Sequence, residues 1–208
     1  MTQQQTEMLS RLVVASRQPP IYPQTVVSRA GIVSAVLVPL VAHADQLSIL
    51  LTRRTDHLAS HRGQVCFPGG RAEDADCGPV DTALREAWEE VGIVAKAVTV
   101  IGCLDDYETL TGFVVTPVVG LIRQPLILRK ASEEVADTFE MPLAFLLDTT
   151  HHRRLTPAHS QFRRTIYAIP YEGHYIWGAT AAILMTLYHI LTAESGLYTS
   201  EKSCYGFY

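Results

Sequence analysis

Apolar runs alternate with short polar segments along the chain, and their lengths predict a series of strands. Two such runs, IVSAVLVPLVA (32–42) and QLSILLTR (46–53), are separated by the turn residues His43-Ala44-Asp45. Apolar runs of this length that are rich in β-branched residues are typical of buried strands. Further strands are predicted at 97–104, 113–122 and 163–171. Pro117 implies that the strand at 113–122 lies at a sheet edge or contains a bulge.

Other segments have helical patterns. Residues 3–17 are amphipathic, and the pair Pro19-Pro20 ends this pattern because proline cannot continue a helix. A second helix is predicted at 81–91, with Asp81 as its N-cap and Gly92 as its stop. Residues 132–147 are predicted to be helical in part. The apolar stretch 175–191 is shorter than the roughly 20 residues of a membrane span, so it predicts a buried helix at about 178–193.

Strands and helices of this mixed order predict an α/β fold, with a sheet flanked by helices in one domain. We expect a partly helical N-terminal extension at 1–29, the domain itself at 30–193, and a C-terminal tail at 194–208. The N-terminus lacks the basic start and apolar run of a secretory signal.

Composition excludes several classes of protein. Of the 208 residues, 48% are hydrophobic and 18% are charged, so the chain is not expected to be disordered. A net charge of −4 argues against a nucleic-acid-binding surface. No two of the four cysteines form a CxxC pair, which argues against a structural zinc site and predicts free thiols in a reducing compartment. A cytoplasmic location is the corresponding expectation.

The predicted helix at 81–91 carries clustered carboxylates. At about 100° per residue, one apolar stripe comprises Leu84, Ala87, Trp88 and Val91, and the opposite side comprises Glu86, Glu89 and Glu90. Arg85 is four residues before Glu89 and is expected to pair with it. Such a face is often simply solvated, since like charges at this spacing cost only about 0.2–0.5 kcal/mol per pair. It is equally suited to Mg²⁺, which prefers carboxylate and other oxygen ligands.

The residues before the helix favour the second interpretation. Gly69-Gly70 follows the apolar run QVCFP, and glycine lets a backbone approach a ligand closely. A carbonyl of this pair, assigned to Gly70, is therefore a candidate ligand beside the glutamates.

Residues 69–93 resemble the Nudix box, whose second half matches Arg85-Glu86-Ala87-Trp88-Glu89-Glu90-Val91-Gly92-Ile93. Asp76 stands where the general pattern has Glu, and the spacing from it to Arg85 is one residue longer than usual. That spacing is usual in the coenzyme A pyrophosphatase branch. The upstream segment LLTRRTDHLASHRGQVCFPGG (50–70) is similar to the signature of the same branch, with departures at Thr55 and Ala59.

This resemblance, which covers about residues 30–191, implies a Nudix-type α/β/α sandwich around a mixed β-sheet. It implies hydrolysis of the pyrophosphate bond of coenzyme A or acyl-coenzyme A, giving 3′,5′-ADP and 4′-phosphopantetheine or its acyl form. The cofactor implied is Mg²⁺ or Mn²⁺. The catalytic residues implied are Arg85, Glu86, Glu89 and Glu90. Glu86 and Glu90 are the main metal ligands, assisted by Glu89 and Gly70, and Glu134 is a candidate late carboxylate.

The candidates for substrate binding are Arg53, Arg54, Arg62, Phe67 and Gly69, with His57 and His61 as further candidates for phosphate contacts. The expected partner is a small nucleotide, with no nucleic acid and no membrane span, and the chain is a candidate homodimer. Two alternatives stay open. One is a Nudix hydrolase of ADP-ribose, NADH or a nucleoside triphosphate, and the other is a non-catalytic nucleotide-binding regulator. The intact charged residues of the box argue against the regulator.

Overall fold

The computed structural model describes residues 1–16, 27–28, 31–57, 61–131, 133–155 and 166–193. Its helices are α1 (Gln3–Ala15), α2 (Pro79–Val91), α3 (Leu143–Leu147) and α4 (Gly178–Thr192). Its strands are β1 (Val27–Ser28), β2 (Gly31–Ala42), β3 (Leu47–Arg54), β4 (Val65–Cys66), β5 (Gly69–Arg71), β6 (Val98–Cys103), β7 (Tyr107–Glu108), β8 (Phe113–Arg123), β9 (Val135–Pro142), β10 (Arg153–Leu155), β11 (Ile166–Tyr171) and β12 (His174–Trp177). Two 3₁₀ turns, Ala95–Ala97 and Thr149–His151, complete the described elements.

A mixed sheet of nine strands forms the centre of the described part of the chain. Its main path is β4-β3-β2-β8-β6, and β2 and β8 pair in parallel from Ile32 with Phe113 to Ala42 with Arg123. The other pairings in this sheet are antiparallel. A second, smaller antiparallel sheet has the order β10-β11-β12. The mixed sheet confirms the predicted α/β class.

Each face of the mixed sheet has its own core. Side chains of β2 alternate between the faces, as the two-residue period of a strand requires. Leu37 belongs to the cluster with α2, and Val38 belongs to the cluster with α1 and α4. The three layers form the α/β/α sandwich that was expected.

The N-terminal helix α1 is part of this packing. It contacts α4 and β6, and Leu12 is fully buried in the larger core cluster. The guanidinium of Arg11 donates to the carbonyl oxygens of Leu191 and Ala193, at 2.8 and 3.0 Å, at the end of α4. The predicted extension at 1–29 therefore packs against the domain through α1, whereas Pro19-Pro20 and the tail 194–208 lie outside the described residues.

Two predicted segments contain features that the sequence did not indicate. The segment 132–147 is partly helical as predicted, at Leu143–Leu147, but Val135–Pro142 is a strand that pairs with β3. Strand β8 is interior, so the predicted edge position is wrong, whereas the β6–β8 ladder does contain an irregularity, a register shift between Val100 and Gly102 of β6. Pro117 lies where pairing passes from β6 to β7, and its carbonyl accepts from the Leu104 N–H at 2.9 Å. The N–H that proline lacks would point to the same side, where the ladder is interrupted.

The apolar stretch 175–191 also divides in two. Residues 175–177 belong to β12, and α4 begins at Gly178. No helix among the described residues is long and apolar enough to cross a membrane.

Candidate active site

Helix α2 begins two residues earlier than predicted. Gly78 is its N-cap and Pro79 occupies the first turn, where a missing N–H costs nothing. The Asp81 carboxylate instead accepts from the Cys77 N–H at 3.0 Å, so it caps the preceding loop. The predicted stop is confirmed, since Gly92 adopts the left-handed conformation with φ of 74°.

The buried stripe of α2 is rotated from its predicted position. Its buried members include Ala83, Ala87, Glu90 and Val91. Trp88, which was predicted to pack in the core, is 47% exposed, with the Arg129 guanidinium 5.7 Å from its ring centre. Glu90, which was predicted on the opposite side, takes a place against the sheet because polar partners there receive its carboxylate.

Those partners come from β3 and β5. The Gly69 N–H donates to Glu90 Oε2 at 3.2 Å, and Arg54 Nη1 lies 3.6 Å from Glu90 Oε1. Glu90 is only 4% exposed. Burial raises the pKa of Glu90 to about 7, with Glu86 and Glu134 adding to the rise and the Gly69 N–H and Arg54 opposing it. Glu90 is thus a fixed carboxylate whose negative charge is only partly compensated.

The backbone of Gly70 lies directly against the carboxylate of Glu86. A Cβ built on Gly70 would overlap the carboxylate of Glu86, so only glycine fits there while Glu86 keeps its position. Burial raises the pKa of Glu86, Arg85 lowers it, and Glu89 and Glu134 raise it further. The β5 backbone and the two glutamates therefore form one compact site.

Arg85 organises the exposed side of this site. Its Nη1 donates to Glu86 Oε1 at 3.0 Å and to Glu89 Oε2 at 3.2 Å, which confirms the predicted contact with Glu89. Its Nη2 donates to the carbonyl oxygen of Arg71 at 2.8 Å. The guanidinium therefore ties α2 to β5.

Asp76 accepts hydrogen bonds from Arg85 and so fixes the position of its guanidinium. From the sequence, Asp76 was not assigned to the site. Arg85 Nε and Nη2 donate to its two oxygens at 3.2 and 3.1 Å. Burial alone would raise the pKa of Asp76, but hydrogen bonds from Arg85, the Glu73 N–H and Thr82 hold it below its ordinary value. The signal was present, because Asp76 occupies the acidic position of the box-like pattern.

Glu134 lies in an exposed turn next to the same cluster. The Thr55 N–H donates to its carbonyl oxygen at 3.0 Å, which fixes the turn to the end of β3. Its charge raises the pKa of both Glu86 and Glu90. The structure thus brings the candidate late carboxylate close to the two main candidate ligands.

The candidate substrate residues are distributed over several surfaces. Arg54 faces Glu90, Arg53 Nη1 lies 3.8 Å from Asp56 Oδ2, and Arg62 is exposed. Phe67 is 2% exposed within the larger core cluster, which gives its ring a packing role instead of the predicted contact with substrate. His57 and His61 are exposed, and Ala59 lies outside the described residues.

The donor set suits a hard divalent cation. It comprises the carboxylates of Glu86, Glu89 and Glu90 and the carbonyl of Gly70, all oxygen ligands of the type that Mg²⁺ and Mn²⁺ prefer. In the part of the chain that the structure describes, no three Asp, Glu, His or Cys side chains are already arranged to hold a metal. Arg85 forms ion pairs with two of these glutamates, Glu86 at 3.0 Å and Glu89 at 3.2 Å.

Comparison with known proteins identifies the family. The NUDIX domain family matches residues 32–162, a span that starts at the second residue of β2, continues past β9 and includes the whole glutamate site. The chain belongs to the Nudix family. It is a Nudix hydrolase, an enzyme that acts on pyrophosphate bonds in phosphorus-containing anhydrides. The family acts on nucleoside diphosphate derivatives and generally uses divalent metal ions.

Similar sequences place this Nudix hydrolase with the NudL type. The uncharacterized Nudix hydrolase NudL of Yersinia enterocolitica is 44% identical over 154 residues, covering 74% of this chain and 78% of the relative. NudL of Escherichia coli K12 is 43% identical over 154 residues, covering 74% of this chain and 80% of the relative.

Solved structures show only a distant likeness. A MutT/nudix family protein from Enterococcus faecalis has a TM-score of 0.49 and 18% identity, with coverage of 90% of this chain and 73% of that chain. A C. elegans Ap4A hydrolase in a binary complex has a TM-score of 0.46 and 19% identity, with coverage of 54% and 81%.

Proposed function

We propose that this Nudix hydrolase cleaves the pyrophosphate bond of coenzyme A or acyl-coenzyme A. The products are 3′,5′-ADP and 4′-phosphopantetheine or its acyl derivative. One observation carries the proposal. Segment 50–70, which resembles the signature of the coenzyme A branch, contacts Glu90 at both ends, through Arg54 at 3.6 Å and the Gly69 N–H at 3.2 Å. The branch-like segment is therefore built into the carboxylate site.

In the proposed mechanism, Glu86 and Glu90 hold Mg²⁺ or Mn²⁺ together with Glu89 and the Gly70 carbonyl. A bound divalent ion neutralises pyrophosphate oxygens and lowers the pKa of coordinated water. The protein's own task is positioning, which accounts for much of phosphoryl-transfer catalysis. Arg54 and Gly69 fix Glu90, and Arg85 fixes Glu86 and Glu89.

Product identification tests this function. Purified protein is incubated with coenzyme A and Mg²⁺, and the products are separated by chromatography and identified by mass. We expect 3′,5′-ADP and 4′-phosphopantetheine in equal amounts, and none when EDTA replaces the metal. ADP-ribose and NADH are assayed side by side, and a higher kcat/KM on either of them contradicts the coenzyme A assignment.

A homodimer and a cytoplasmic location stay predictions. Light scattering after size-exclusion chromatography measures the mass in solution, for comparison with the 23.0 kDa of one chain. Cell fractionation tests the location.

A further inference from the structure

Arg71 lies beside the glutamate site but faces the other side of the sheet. Successive side chains of a strand point to opposite faces, and Gly70 faces Glu86 of α2. Arg71 therefore faces the α1 and α4 side. There its guanidinium carbon lies 5.2 Å from the centre of the Phe113 ring, which packs against the core cluster of that face. The end of β5 thus presents glycine to the metal site and a cation to the opposite face.

Among the residues that the structure describes, no carboxylate pairs with the Arg71 guanidinium, unlike those of the arginines near it. Arg53 pairs with Asp56 at 3.8 Å, and Arg54 pairs with Glu90 at 3.6 Å. Arg85 pairs with four acidic residues. Within the described ranges, Arg71 forms no ion pair, and its side chain is exposed. An arginine without a carboxylate partner, beside a site that hydrolyses a pyrophosphate, is suited to bind the anionic substrate.

The surroundings of Arg71 hold its side chain in place. Arg71 pairs with Ser34 of β2, and the Arg71 carbonyl oxygen accepts a hydrogen bond from Arg85 Nη2 at 2.8 Å. The Phe113 ring contacts the guanidinium, whose carbon lies 5.2 Å from the ring centre, through a cation–π interaction. The planar fork of donors on an arginine side chain fits phosphate oxygens.

We propose that Arg71 recognises a phosphate monoester on the nucleoside part of the substrate. This inference rests on the proposed function, in which that group is the 3′-phosphate of coenzyme A. One ribose separates this phosphate from the pyrophosphate, and one peptide bond separates Arg71 from Gly70. The substrate then extends across the end of the sheet, with its pyrophosphate at the glutamates and its 3′-phosphate at Arg71. ADP-ribose and NADH carry no phosphate there, so Arg71 contributes to substrate preference.

The test compares coenzyme A with 3′-dephospho-coenzyme A, using wild-type protein, Arg71→Gln and a matched control, Arg129→Gln. Arg129 is also exposed and also stacks on an aromatic ring, that of Trp88 at 5.7 Å. We expect wild type to favour coenzyme A by about tenfold or more in kcat/KM, the size of one charged hydrogen-bonded contact. Arg71→Gln loses about that factor on coenzyme A and changes little on the dephosphorylated substrate, whereas Arg129→Gln keeps the wild-type ratio.

The failures of the two proposals can be distinguished. Cleavage of neither substrate by the wild type refutes the coenzyme A function and this inference with it. Equal cleavage of both substrates by the wild type, or an equal loss on both in Arg71→Gln, refutes the role of Arg71 alone. Affinities for 3′,5′-ADP and 5′-AMP, measured by calorimetry, make the same comparison without turnover. A preference for 3′,5′-ADP that survives Arg71→Gln also overturns the inference.

Discussion

At the scale of single residues, Glu90 is a charged group that is almost completely buried. A buried carboxylate is costly unless it is paired and hydrogen-bonded. Its partners here are one backbone N–H and one guanidinium at 3.6 Å, and burial still raises the pKa of Glu90 to about 7. Stability alone does not favour such an arrangement, whereas it suits the proposed cation-binding site.

Glu90→Gln keeps the shape of the side chain and removes its charge. We expect kcat/KM to fall roughly 100-fold or more, because removing one preorganised electrostatic group from an active site has effects of this size. The melting temperature of the metal-free protein is expected to stay the same or rise, since a buried charge is removed. Turnover equal to wild type at saturating metal would contradict the assignment of Glu90 to the metal site.

The same residue predicts a pH dependence of stability. The pKa of Glu90 is raised from an ordinary 4.5 to about 7. Between these values the folded protein retains a proton that the unfolded chain releases, so the free energy of unfolding falls as pH rises. The stabilisation is complete below pH 4.5 and is lost as pH passes about 7. The full effect is on the order of 3 kcal/mol.

Thermal unfolding in EDTA from pH 4.5 to 8 measures this dependence for wild type and Glu90→Gln. The difference between the two proteins isolates Glu90 from the other titrating groups. Two parallel pH profiles would show that Glu90 titrates in the folded protein as it does in the unfolded chain.

Glu134 and Glu133 offer a matched pair of neighbouring exposed glutamates. Only Glu134 raises the pKa values of Glu86 and Glu90, so its carboxylate acts on the cluster. We expect Glu134→Gln to lower kcat by about tenfold, the scale of a single charge-assisted contact, and Glu133→Gln to leave kcat unchanged. Steady-state kinetics at saturating metal decide between them, and equal effects of the two substitutions would remove Glu134 from the site.

At the scale of elements, β5 lies between strand β2, with which it pairs, and the glutamates of α2. Its two glycines face different neighbours, as strand alternation requires. A Cβ on Gly69 would meet the backbone of Ala35 and Val36 in β2, whereas a Cβ on Gly70 would meet the movable carboxylate of Glu86. Gly69 therefore allows β5 to pack closely against β2, and Gly70 leaves room for the Glu86 carboxylate in the candidate site.

Alanine at these two positions separates the two roles. Gly69→Ala is expected to destabilise the protein by about 1–3 kcal/mol, the range for an overpacked interior. Gly70→Ala is expected to keep a near-native melting temperature while displacing Glu86, with a loss of activity of up to about 100-fold. Denaturant unfolding and kinetics on both variants test this contrast, and the reverse pattern of effects would contradict it.

At the scale of the whole molecule, α1 completes the layer opposite α2. Leu12 is fully buried, and Arg11 caps the end of α4 through the carbonyls of Leu191 and Ala193. Basic side chains at a helix C-terminus donate hydrogen bonds to its last carbonyl oxygens and interact favourably with the negative end of the helix dipole. The two ends of the described chain thus stabilise each other.

Leu12→Ala should therefore destabilise the entire domain by about 2–5 kcal/mol, as for other buried leucines. Val14, in the same helix but 87% exposed, provides the control, and Val14→Ala is expected to change stability by less than about 0.5 kcal/mol. A single cooperative unfolding transition that shifts in Leu12→Ala supports the packing of α1. An unshifted transition would show that α1 contributes nothing to the domain.

Much of this fold was predictable from local patterns. The long apolar runs predicted β2, β3 and β8 within one or two residues of their ends, because a buried strand needs continuous apolar side chains. The partial helix predicted within 132–147 is confirmed at Leu143–Leu147, but the strand Val135–Pro142 was not predicted, since it forms by pairing with β3, which is distant in sequence. Propensity yields to such tertiary pairing.

The sequence by itself determined the family, the helix that carries Glu86, Glu89 and Glu90, and the glycines beside it, because these depend on short-range spacing and residue type. Tertiary structure decided which side of that helix is buried. It left Trp88 about half exposed and placed Glu90 against the sheet, since the Gly69 N–H and Arg54 come from strands that no local pattern links to the helix. It also brought the Asp76 carboxylate and the Arg71 carbonyl oxygen to the Arg85 guanidinium, contacts that form when the segment before α2 packs against that helix.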